Sequence, residues 1–239
     1  QDSALHIGTS SWSHKSWQGV FYPQRVASRD FISHYATIFD CVEIDATFYA
    51  IPARSTVEGW RERTPEGFRF AAKVPRVITH DKVLQDAQQD IELFVETMQV
   101  LGDRLGPLLL QFPYFNKKAF DSAAPFLDLL DQFLETIPEG PRYVVEVRNR
   151  NWVGPELQQL LSDHQVALAW VDQAWMPEPE EWPRRVTGPT TDFGYFRFLG
   201  DHKAIDEITQ TWDRQVVDRR DRLARWIPGM KQFRESAVE

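Results

Sequence analysis

Charged residues sit at the ends of otherwise apolar segments, at the spacing of strands. Val42-Glu43-Ile44-Asp45 places two carboxylates two residues apart, on one face of an extended chain. Arg69 and Lys73 share a face of the next apolar segment, and later segments end in Gln111, in Glu146 and Arg148, in Asp172 and in Arg197. If each projects inward, one mouth collects Glu43, Asp45, Lys73, Gln111, Glu146, Arg148, Asp172 and Arg197, four acids against three bases. Charges at that depth must be paired. A salt-bridge layer suits Glu43, Asp45 and Arg69, whereas a working site suits Lys73, Glu146 and Arg148. Two chemistries fit. Lys73, Arg148 and Arg197 could hold a phosphate or carboxylate while Glu146 or Glu43 acts as general acid or base and Lys73 assists. Alternatively Glu43, Glu146, Asp172 and His80 could ligate a divalent metal, a weaker case because the ligands form no compact motif and the cations would compete.

Parallel strands separated by helices are the frame that would bring such residues together. Strands are expected over Leu5–Ser10, Cys41–Tyr49, Phe68–Val74, Pro107–Phe112, Arg142–Val147, Val166–Val171 and Phe193–Leu199. The helices between them include 28–39, Ser55–Arg63 with Glu58 in the capping-box position, 86–101, one capped by Asp121, and Pro155–His164. Wholly apolar strands alternating with helices mean a parallel sheet covered on its faces. The expected fold is therefore α/β, a TIM-type (β/α) barrel in one domain over 5–239, with seven βα units visible. Nothing after Ile227 reads as a strand, so the eighth is expected to be missing from these residues; if the barrel is open, its first and seventh strands are exposed edges. The Pro/Glu-rich stretch 176–189 reads as a surface loop with Glu178, Glu180 and Glu181 solvated, and 212–227 reads as an amphipathic helix.

Composition narrows the function classes. The 239 residues carry Lys+Arg 27 against Asp+Glu 35, so nucleic acid is not an expected partner. No apolar run is long enough to span a membrane. With one cysteine there is no internal disulfide, which suits a cytoplasmic setting, and Cys41 itself reads as a buried small hydrophobe. No glycine-rich nucleotide loop is present, so no cofactor is named by motif. The nine tryptophans are an excess, and Trp12, Trp17, Tyr49 and Trp152 could form an aromatic mouth that grips a ligand or partner without catalysis.

Gly8-Thr9-Ser10-Ser11-Trp12 with Trp17 and Phe21-Tyr22-Pro23, Val42-Glu43-Ile44 with Thr47-Phe48-Tyr49, and Phe70-Ala71-Ala72-Lys73-Val74-Pro75 with Thr79-His80 resemble motifs of the YecE-like family, the domain of unknown function 72. Gln111-Phe112-Pro113, Glu146-Val147-Arg148 with Trp152, and Tyr195-Phe196-Arg197 with Gly200 resemble its later motifs, in order and spacing. The resemblance implies a barrel related to TIM barrels and mouth residues Trp12, Glu43, Thr47, Tyr49, Lys73, His80, Gln111, Glu146, Arg148, Trp152 and Arg197. It implies no reaction. Asn149 and Leu199 stand where the family usually has histidine, and Asp45-Ala46 where it has Asn-Ser, so a histidine acid/base at those points is not expected here. The favoured reading is a small-molecule enzyme for an anionic, phosphorylated or sugar-like substrate; the alternatives are a binding barrel and a metal-assisted hydrolase.

Overall fold

A computed structural model describes residues 5–236. Six strands form one all-parallel sheet in sequence order: β1 Cys41–Ile44, β2 Arg69–Lys73, β3 Leu105–Gln111, β4 Tyr143–Glu146, β5 Ala167–Gln173 and β6 Tyr195–Gly200. The helices are α1 Phe31–Tyr35, α2 Arg54–Glu62, α3 Gln88–Met98, α4 Ala124–Leu134, α5 Pro155–Asp163, α6 Trp182–Arg185, α7 His202–Ile208, α8 Arg220–Ala224 and α9 Ile227–Ser236. Buried side chains recur at helical spacing, as in Phe126, Leu130, Phe133 and Leu134 of α4 and Ile91, Phe94, Val95 and Met98 of α3.

The sheet is an open half-barrel, which overturns the expected TIM barrel with seven or eight βα units. Leu5–Ser10 does not become a strand; it contributes a single parallel bridge from Ser10 to Glu43. The Ser11 amide donates to the Glu43 carbonyl at 2.8 Å and the Glu43 amide to that of Thr9 at 3.0 Å, and then Ser11, at φ 76°, turns the chain away. Gly8 makes this approach possible, because a Cβ there would stand 2.0 Å from the Cys41 carbonyl oxygen. At the other edge, among the described residues, the chain after β6 is helical or irregular.

In-register neighbours point to the same side of a parallel sheet. Glu43 with Ala71, Lys73 with Leu109, Gln111 with Glu146, and Ala169 with Tyr195 thus share the concave face. Val42 with Phe70, and Trp170 with Phe196, face the helices. Alanines at 71, 167 and 169 leave room for Tyr195 and Arg197 to reach across to β1.

Local chemistry departs from expectation at several ends. Neither Ser55 nor Asp121 caps a helix; α2 and α4 start from Ala53 and Ala123 without a side-chain cap, and Glu58 pairs instead with Arg54 at 3.1 Å. The 176–189 stretch is packed, with Met176, Trp182 and Val186 buried and the Trp182 indole donating to the Pro177 carbonyl. Of the long helix expected over 212–227, only α8 and the first residue of α9 form.

Candidate functional site

A chain of four charges, three of them buried and the fourth, Arg148, part-buried, crosses the concave face. Arg197 on β6 donates from Nε to Glu43 Oε2 at 2.9 Å and from Nη2 to Glu43 Oε1 at 2.6 Å, joining the two ends of the sheet through side chains alone. Its Nη1 donates to Glu146 Oε2 at 2.5 Å. Glu43 also accepts from Tyr195 Oη at 2.8 Å and Ser10 Oγ at 3.2 Å, so both of its oxygens are filled. Burial opposes its charge, but the Arg197 guanidinium outweighs that and holds the Glu43 carboxyl below its usual range.

Arg148 ends the chain. Its Nε lies 2.6 Å from Glu146 Oε1, an ion-pair contact whose angles fall outside hydrogen-bond geometry. Burial pulls the Arg148 guanidinium below its ordinary value despite Glu146. Arg148 makes no well-formed hydrogen bond among the described residues, while Glu146, fully buried, keeps Oε1 free of hydrogen bonds.

A second group lies at the ends of β1 and β2. Lys73 Nζ is 3.2 Å from Asp45 Oδ1 and 4.1 Å from the centre of the Phe48 ring. The buried Thr47 hydroxyl donates to the carbonyls of Ile44 and Lys73, pinning the turn after β1 to β2. His80, on a single π-helical turn over Val77–Asp81, packs edge-on to Phe48 and pairs through Nδ1 with Thr79 Oγ1 at 2.8 Å. Burial, reinforced by the positive charges of Lys73 and Arg76 and, more weakly, of Arg148, pushes the imidazole down to about 4. It is therefore neutral at pH 7.

The structure brings together Glu43, Lys73, His80, Gln111, Glu146, Arg148 and Arg197 at the carboxyl ends of the strands, with Gln111 Nε2 donating to the Phe112 carbonyl at 2.5 Å. Asp45 joins them through Lys73, at 3.2 Å, but the remaining candidates lie elsewhere. Asp172 faces the helices, where Arg222 of α8 donates to its Oδ1 at 2.6 and 2.9 Å. The expected solvated acidic run is a clamp: Glu178 accepts from Arg222 and Arg225, Glu180 from Arg225, and Glu181 from Arg150. Trp152 lies within 5.0 to 6.1 Å of Phe115, Phe120 and Phe126 in a packing cluster. Trp12 packs edge-to-face on Trp60 and Phe70, away from the ionic chain, and Tyr49 is exposed. The proposed metal set of Glu43, Glu146, Asp172 and His80 is therefore split between the two faces. Among the described residues no three His, Cys, Asp or Glu side chains converge as a metal site. Two partners were not singled out from the sequence. Tyr195 stands two residues before Arg197 on one strand face, a signal that could have found it; Arg222 lies far off in sequence and carried none.

The sequence profile described as "Protein of unknown function DUF72" matches residues 6–239. The chain belongs to the DUF72 family. This DUF72 chain is 33% identical over 146 residues to the UPF0759 protein YecE of Escherichia coli K12, covering 61% of its own length and 48% of that protein's. It is 31% identical over 176 residues to the UPF0759 protein YunF of Bacillus subtilis 168, covering 70% of itself and 58% of YunF. The match thus spans about half the length of these relatives. A crystal structure of a DUF72 family protein (TM1631) from Thermotoga maritima superposes with a TM-score of 0.71 at 26% identity, over 95% of this chain and 88% of that one. A DUF72 family protein (EF0366) from Enterococcus faecalis shares the fold with a TM-score of 0.59 at 23% identity, over 85% of this chain and 82% of that one. No described helix of this DUF72 chain is long and apolar enough to cross a membrane.

Proposed function

We propose that the mouth of this DUF72 chain binds a small anionic molecule, phosphorylated or sugar-like, and acts on it with Glu146 as general base. The observation that carries the reading is Arg148, a part-buried guanidinium whose one ionic contact among the described residues is the misaligned one to Glu146. A guanidinium has five N–H donors in a fork that matches an oxyanion, and burial strengthens each charged hydrogen bond it makes. Lys73 supplies a second cation, and neutral His80 a hydrogen-bond partner that costs no charge repulsion. Glu43 has both oxygens engaged, so it serves as a positioning residue that fixes Arg197. Glu146 Oε1 is the carboxylate oxygen left with open lone pairs, which suits a base. A single cysteine, which leaves no internal disulfide to form, fits a reducing, cytoplasmic compartment.

The test is titration with inorganic phosphate and small carboxylates, followed by melting and by the His80 imidazole resonances. Ligand at 100 times its Kd stabilises by about 2.7 kcal/mol, raising Tm by roughly 5–10 °C for a chain of this size. Arg148→Ala should weaken binding by about 10- to 100-fold, the worth of a hydrogen bond to a charged group. No shift with any anion, or unchanged affinity in Arg148→Ala, would sink the proposal.

A further inference from the structure

A cleft of about 650 Å³ lies beside the mouth, between the 11–13 turn, the start of α1 and one face of α2, and the ionic chain does not line it. Its size is that of a small-ligand site. Two indoles line it, Trp12 and Trp60, in edge-to-face contact with ring centres 5.4 Å apart. The charges around it are already engaged: Asp45 with Lys73, Glu58 with Arg54, Arg29 with Asp30, and Arg63 Nη1 with the Gly59 carbonyl at 2.8 Å. Among the described residues, the lining groups without a side-chain hydrogen bond include the hydroxyls of Ser13, Ser28, Ser55 and Thr56, the indole N–H groups of Trp12 and Trp60, and the carboxylate of Glu62.

We infer that this cleft binds a neutral pyranoside. Indole rings accept the apolar C–H face of a sugar ring, while hydroxyls both donate to and accept from its hydroxyl groups. Three carboxylates against two guanidiniums on the lining disfavour an anion, which separates this site from the one at Arg148. Glu62 offers two acceptor oxygens to adjacent sugar hydroxyls. The inference rests on the cleft alone, independent of the anion-binding reading.

Saturation-transfer NMR on the full chain tests it, with methyl β-D-glucopyranoside, methyl β-D-galactopyranoside and methyl α-D-mannopyranoside at millimolar concentration. At least one glycoside should take up saturation from the protein, and Trp12→Phe should preserve the signal while Trp12→Ala abolishes it. Thr56→Leu, at an exposed α2 position where folding is not at risk, should fill the cleft and weaken binding at least tenfold. Arg148→Ala should leave the glycoside signal unchanged, which distinguishes failure here from failure at the mouth. Absence of transfer to all three glycosides, or transfer that survives Thr56→Leu, would overturn the inference.

Discussion

Removing Arg197 is the sharpest probe of the ionic chain. The side chains of Arg197, Glu43 and Glu146 are 6%, 8% and 0% exposed, so Arg197→Met leaves carboxylates where water cannot take over. Glu146 retains Arg148 at 2.6 Å, but Glu43 loses its cation and keeps only the hydroxyls of Tyr195 and Ser10. Breaking a buried pair from one side costs about 3–5 kcal/mol, or roughly 6–20 °C of Tm in a chain of this length. The pH dependence should change sign as well. In the parent, Glu43 is held below its unfolded value, so its contribution is present above that value and lost as pH falls. In Arg197→Met, desolvation without a cation raises the Glu43 pKa, so the folded state is favoured at low pH and weakens as pH rises. Urea unfolding of both proteins at pH 5 and pH 7.5 should show a larger deficit at the higher pH. Arg197→Met combined with Glu43→Gln should recover most of it. A deficit under about 1 kcal/mol, equal at both pH values, would refute the buried chain and its role in closing the open sheet.

Other consequences are as direct. His80 should titrate near 4 by NMR; because it stays neutral in the fold while the unfolded chain protonates near 6.5, stability should fall as pH drops through that window, by on the order of 1 kcal/mol given its partial exposure, and His80→Gln should flatten the slope. Trp152→Ala should cost about 3–5 kcal/mol in urea unfolding by opening a cavity among Phe115, Phe120 and Phe126, yet leave phosphate affinity unchanged. Gly8→Ala should force the 8–11 segment off β1 and, in amide exchange, expose the Ser11 and Glu43 amides that now pair there. Arg222→Ala should leave buried Asp172 unpaired and loosen α8, read as faster proteolysis near residues 220–236 than in the parent.

While the expected strand Cys41–Tyr49 stops at Ile44 and turns into a short helical segment at Ala46–Phe48, the sequence read alone reached the parallel α/β sheet, five of its strands to within about two residues, and most of the helices. That succeeded because fully buried strands are apolar throughout and helices show their 3.6-residue stripe, both properties of local sequence. The two-residue alternation pairs residues only within a strand, so a shared face for the strand-end charges stays conditional on inward projection; the register places Glu43, Gln111, Glu146 and Arg197 on one face and Asp172 on the other. Closure of the sheet was not legible. Whether Leu5–Ser10 pairs fully depends on Gly8 meeting Cys41 and on Ser11 turning away, contacts between residues more than thirty apart. Nor did spacing show that Asp172 faces the helices, that Trp152 belongs to a phenylalanine cluster, or that Glu178 and Glu180 hold two arginines from the end of the chain. Local sequence thus determined which residues alternate and which are buried, because backbone period and hydrophobicity are local. Tertiary structure alone decided which charges meet, because an ion pair is set by where distant segments cross, and here that crossing binds the first strand of the sheet to the last through Arg197.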